Sequence, residues 1–146
     1  MHRNRSIIAI ILFLSWISFS CVSPKNNHLQ QIFDKQKLYV SSGQLQLAID
    51  GYNQALVDYP NEGRILDNYI RTVENIKAAA EKAYTAGNYS HALGVFTILL
   101  DNYHYFRTFR NSLSFDQDFL RLKQKNCRIA LNEIQVDNLL KTDDYS

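Results

Sequence analysis

Tyr39–Pro60 reads YVSSGQLQLAIDGYNQALVDYP, and Gly87–Tyr103 reads GNYSHALGVFTILLDNY. Laid over one another at an offset of 44 residues, the two stretches share a skeleton. Gly43 and Gly87 break the chain, Leu45 and Tyr89 follow, Ala48 and Ala92 come next, and Tyr52 and Phe96 sit one helical turn beyond the alanines. Self-similarity at one fixed offset is the signature of stacked helical hairpins, in which each unit buries its apolar face only against its neighbours. The expected fold class is therefore all-α, with stacked antiparallel helical hairpins and about five helices.

Working outward, Leu29, Ile32, Phe33, Gln36, Tyr39 and Val40 suit a first helix that stops near Ser42-Gly43, because glycine adopts the left-handed conformation that ends helices. Leu45, Ala48, Ile49, Tyr52, Ala55, Leu56 and Tyr59 recur at helical spacing and form one apolar stripe, which Pro60 ends. Asn61 is placed to cap a long third helix over about Glu62 to Ala86, whose apolar positions run from Ile65 to Tyr84 without losing the period. Gly87-Asn88 turns the chain into a fourth helix that repeats the earlier stripe through Ala92, Phe96, Leu99 and Tyr103.

Six aromatics crowd Tyr103 to Phe119 without a clean period. They predict a connector folded over the core, with an exposed adhesive patch as the alternative. Ser114 and Gln117 have the spacing of a capping box. A last helix from about Phe115 to Lys141 is expected, with an apolar face of Phe119, Leu120, Cys127, Ala130, Leu131, Ile134 and Leu139. Lys141-Thr142-Asp143-Asp144-Tyr145-Ser146 overlays Thr85-Ala86-Gly87-Asn88-Tyr89-Ser90, so the chain halts where the second helix of a third hairpin would begin. The expectation is a truncated product or a C-terminal helix that closes on another chain.

The N-terminus has a different build. Met1 to Ser20 combines a basic start with an apolar run from Ile7 to Ile17 and small residues after it, which is the pattern of an export signal and is too short to span a bilayer. Of 16 basic and 14 acidic residues, Arg3 and Arg5 leave with this segment, so the remaining chain carries no formal charge. Nucleic-acid binding needs a clustered basic surplus. Arg121, Lys123, Lys125 and Arg128 read instead as a solvated helix face.

Cys21, preceded by Ile17-Ser18-Phe19-Ser20, resembles a bacterial lipobox, in which the signal is cut before a cysteine that receives a diacylglycerol. Ser18 stands where that pattern prefers leucine, and Ser18-Phe19-Ser20 also fits an ordinary secretory cleavage site. The resemblance implies domains of 1–20 as lipoprotein signal, 21–27 as a tether of about 20 Å at full stretch, and 28–146 as the helical domain. Anchoring by two or more acyl chains is stable. Val22 is not the aspartate that resembles an inner-membrane retention signal, so the outer membrane facing the periplasm is expected. Cys127 reads as a small packed hydrophobe. A Cys21–Cys127 disulfide is the alternative in an oxidising compartment, and acylation of Cys21 excludes it.

The repeated skeleton itself is similar to a tetratricopeptide repeat, carried by Tyr39, Gly43, Leu45, Ala48, Tyr52, Ala55 and Pro60, and again by Ala80, Gly87, Tyr89, Ala92 and Phe96. Leu99, His104 and Gln36 depart from the family pattern, Leu99 and Gln36 where a small residue is usual and His104 where proline is. The offset of 44 also exceeds the family period of about 34. The surplus lengthens the third helix by almost three turns. By that resemblance, the first helix of each hairpin lines a groove that receives a peptide or helix of a partner. The groove side would show Phe33, Lys37 and Val40, then Lys77, Glu81 and Tyr84. Core roles for Val40 and Tyr84, and solvated ones for Lys37, Lys77 and Glu81, are the alternatives.

Lipid-anchored repeat proteins of this size resemble outer-membrane assembly factors and pilotins, so an envelope protein or peptide segment is the expected partner. No cofactor, metal or small-molecule substrate is expected, since His2, His28, His91 and His104 lack metal-ligand spacing. A hydrolase would need a nucleophile beside a base or paired carboxylates at a cleft. Only His91 at a stripe margin and the terminal pair Asp143-Asp144 come near that, and a non-catalytic scaffold is expected. The alternatives are a truncated or structural repeat protein without its own binding role, or a secreted hydrolase.

Overall fold

The computed structural model describes residues 24–143, with side chains over 26–138. The signal segment and Cys21, Val22 and Ser23 lie outside the described residues, as do Asp144 and the side chains of Leu139 and Asp143, whereas residues 24–27, expected as tether, already belong to the first helix. The chain divides into two compact units, Met1–Gln30 and Gln31–Ser146. Of the first, only the opening turns of one helix are described.

Among the described residues there are five α-helices and no strand: α1 Pro24–Ser41, α2 Leu45–Asp58, α3 Gly63–Thr85, α4 Tyr89–Asp101 and α5 Gln117–Asp143. Two short 3-10 segments, Tyr103–Thr108 and Arg110–Ser112, join α4 to α5. The all-α hairpin fold expected from the repeat is the fold observed. Its two tips are built alike. Gly43 and Gly87 have φ of 75° and 79°. Gly43 N–H donates to the Val40 carbonyl and Gln44 N–H to that of Tyr39, at 3.1 and 2.8 Å. Gly87 and Asn88 repeat this pattern onto Tyr84 and Ala83 at 3.0 and 2.9 Å. Each tip is thus a Schellman motif, and the left-handed residue it needs is glycine.

Ala48 and Ala92 are fully buried, as are Ile65, Tyr69, Val73, Ile76 and Ala80 along one side of α3. In the first hairpin the bulky Gln36, standing where a small residue was expected, is itself buried. Gly51 accommodates it: a Cβ built there would run into the Gln36 amide. The misfit on α1 is therefore compensated on α2, although Gln36 Oε1 is left without a hydrogen-bond partner.

The ten surplus residues set the geometry of the whole unit. Tyr52 of α2 stacks on Tyr69 of α3 with ring centroids 4.9 Å apart. Its hydroxyl is 3.0 Å from that of Thr72, and Tyr69 O–H donates to Asn53 Oδ1 at 2.9 Å. These contacts run α2 antiparallel along the N-terminal half of α3. The C-terminal half is covered by α4, with Tyr84 edge-on to Tyr89 at 5.2 Å. The two second helices overlap only briefly. There Gln46, at the start of α2, exchanges amide hydrogen bonds with Asn102, at the end of α4, at 3.0 and 2.7 Å. α3 is a shared spine, and the second hairpin overhangs the tip of the first by roughly the 15 Å that ten helical residues span.

The aromatic connector fills the space beside the N-terminal half of α3 that α4 leaves open. Phe106 and Phe109 pack on Tyr69 at 5.9 and 5.1 Å, and both are buried with Phe115. The connector is folded over the core, while Tyr105 stays exposed. Two expected caps differ. Glu62 rather than Asn61 precedes α3, and its side chain makes no capping bond. Ser114 does not cap α5; its N–H and hydroxyl both donate to the Glu74 carboxylate. Asp116 caps instead, accepting from Phe119 N–H at 2.8 Å.

Candidate functional site

Where the second hairpin overhangs the first, the step leaves a cleft of about 410 Å³. One wall is the tip of the first hairpin, with Val40, Gly43 and Leu45. The floor is α3 at Asn75, Ile76 and Ala79, and the far wall is α4 from Ser90 and His91 through Gly94 to Ile98. Its existence follows from side-chain size. Gly94 has open space around it and Ala79 is exposed, so neither helix fills the step with its own side chains. The lining is mostly apolar, with Asn75, Ser90 and His91 as the polar groups and no carboxylate among them. His91 N–H donates to Asn88 Oδ1 at 3.3 Å, which fixes the first turn of α4 and so the position of the wall. Such a cleft suits one or two apolar side chains with a few polar contacts at its edge.

The residues assigned to a partner groove divide. Val40 lines this cleft and is half-buried; Phe33 is half-buried and Lys37 exposed. Lys77, Glu81 and Tyr84 come together elsewhere, at the junction of α3 with α5. Lys77 pairs with Glu81 at 2.9 Å, and Lys123 of α5 approaches the same carboxylate at 3.5 Å. Both ammonium groups also approach the Phe119 ring, Lys77 at 5.3 Å and Lys123 at 5.2 Å. Lys123 also stands over the Tyr84 ring at 5.5 Å. Partial burial alone would raise the Glu81 carboxyl, but the hydrogen bond and charge of Lys77, with Lys123 added, hold it below its ordinary value. This half of the expected groove is occupied by the chain's own last helix.

Three further titratable groups belong to the core. Cys127 is buried, and burial pushes its thiol up, away from the reactive thiolate. Burial likewise raises the Tyr52 and Tyr69 phenols. Among the described residues no three His, Cys, Asp or Glu side chains come together as a metal would require. No described helix is long and apolar enough to cross a membrane. Neither a family model, a curated protein nor a solved structure matches the chain.

Of the cleft residues, His91 stood out in the sequence only as a histidine at a stripe margin, and Asn75, Ala79, Gly94 and Ile98 did not stand out at all. Their signal was present in two pieces: small residues on outward positions of strongly apolar helices, and the ten-residue surplus that opens the step between hairpins.

Proposed function

We propose that this protein is a non-catalytic interaction module of the tetratricopeptide type, held at a bacterial membrane by a lipid on Cys21. On this reading its cleft receives an apolar peptide segment of an envelope partner, in the manner of an assembly factor or pilotin facing the periplasm. The observation that carries the reading is the apolar cleft between Val40 and Ile98, whose polar rim offers hydrogen bonds but no acid–base pair. Anchoring would raise the local concentration of such a module, so that a modest intrinsic affinity suffices.

The test places a photoreactive residue at His91, on the cleft wall, and separately at Val57, an exposed position remote from it. Partner adducts are expected from the first position and not the second, and Gly94→Leu, which fills the cleft, should abolish them. Equal adducts from both positions, or adducts that survive Gly94→Leu, would overturn the reading. Mass spectrometry of the mature N-terminus tests the anchor: an acylated Cys21 is expected, and an unmodified secreted terminus would remove it.

A further inference from the structure

The last helix has two apolar faces, and only one is used inside the unit. The inner face carries Leu120 and Cys127, both buried. Gln124 Nε2 donates to Thr97 Oγ1 at 2.8 Å. Because α4 and α5 run antiparallel, that bond sets Leu131 level with Ser90, at the beginning of α4. Beyond it α5 continues to Asp143, about 18 Å further. The outer face carries Leu122, Ile129 and Val136, spaced seven apart and 55 %, 45 % and 53 % exposed. Residues seven apart on a helix fall nearly in line, so these three form a continuous apolar stripe. Nothing in the core of the unit requires it.

We infer that this stripe is a self-association face, on which a second copy of the chain packs its own α5 antiparallel with Ile129 at the two-fold axis. The charges select this occupant and this direction. Lys125 lies four residues before Ile129 and Glu133 four after, both exposed and both flanking the stripe. Reversing the helix about Ile129 sets Leu122 against the second copy's Val136 and Lys125 level with the second copy's Glu133. A parallel pair would instead bring the two Lys125 ammonium groups together. The same reversal sets Arg121, which also pairs with its own Asp118, level with the second copy's Asp137, so a second pair of opposite sign falls on each side of the axis. A two-fold pair also uses one patch on both chains and closes without forming a filament. The face lies on the opposite side of α5 from the one that meets α4, and the inference does not depend on the cleft.

Disulfide trapping of the full-length chain, isolated in detergent, tests it. Cys127 is buried and the unsubstituted chain controls for Cys21. Ile129→Cys should crosslink to itself. Differently tagged Leu122→Cys and Val136→Cys chains should crosslink to each other far more than either does to itself. Lys125→Glu should weaken the Ile129→Cys product roughly tenfold, the change expected when two exposed ion pairs turn repulsive, and Lys125→Glu with Glu133→Lys should restore it. No product above the unsubstituted control would overturn the inference, whether the chain is monomeric or the stripe is covered by another protein. A Leu122→Cys self-product as strong as the mixed one would also overturn it, as would a charge reversal that changes nothing.

Discussion

The two copies of the repeated stretch make the same turn and meet different fates. Each has a Schellman tip at a glycine and an alanine buried where two helices touch. Each also contains one glycine inside its helix, Gly51 in α2 and Gly94 in α4, and the two have opposite surroundings. Gly51 faces the buried Gln36 amide, while Gly94 faces open space in the cleft. The copies differ again at their ends. Pro60 releases α2 into the spine helix, whereas α4 runs into Asn102, which is tied back to Gln46, and then into the aromatic connector. The shared skeleton fixes the turn and the helix pairing. What fills the flanks is decided by residues outside it, and that is where the cleft arises.

The strongest way to break the comparison is to remove the ring on which both flanks converge. Tyr69→Ala should destabilise the protein by about 3–5 kcal/mol in chemical denaturation, since its ring meets Tyr52, Phe106 and Phe109. Next come the paired glycines. Gly51→Ala should cost about 1–3 kcal/mol by overpacking Gln36, against the usual gain for alanine in a helix. Combining it with Gln36→Ala should recover part of the loss. Gly94→Ala should do the reverse, raising stability by about 0.5–1 kcal/mol in thermal unfolding while narrowing the cleft, so that adducts from the His91 position fall. If both alanines moved stability in the same direction, the contrast between the copies would be lost.

The smallest effect concerns the ion cluster over α3. Glu81 is held below its ordinary carboxylate range in the folded state, so its contribution is present above the unfolded value and fades as pH falls through the lower, folded one. Glu81→Gln should therefore flatten the acid side of the stability–pH curve slightly, and a curve that steepens instead would contradict the assignment. The group is partly exposed, so solvent screening keeps the change small.

Much of this architecture was legible because glycine and proline act locally. Gly43, Pro60 and Gly87 mark helix ends whatever lies around them, and the stripes through Ala48 and Ala92 carry their own period. Apart from the cap of α3, one residue off at Glu62, the misreadings involve residues whose role is chosen at a distance. Ser114 and Asp116 are both chemically suited to cap α5, and the choice between them is made by Glu74, forty residues away along the chain. Gln36 was visibly out of pattern, but its remedy at Gly51 depends on how α1 and α2 align. The six aromatics of the connector have no period to read, because they are spread over a 3-10 segment, the loop after it and the start of α5, and Phe106 and Phe109 meet Tyr69 while Phe119 meets Phe96. Half of the expected partner groove proved to be engaged by α5, which a motif matched one hairpin at a time does not register.

The spine arrangement has a consequence for how the molecule breathes. With α2 and the connector on one half of α3 and α4 and α5 on the other, joined at the Gln46–Asn102 amide pair, the fold should open as two halves sharing an axle. Hydrogen exchange should then show one half losing protection while the other keeps it. The cleft lies on the seam where they meet.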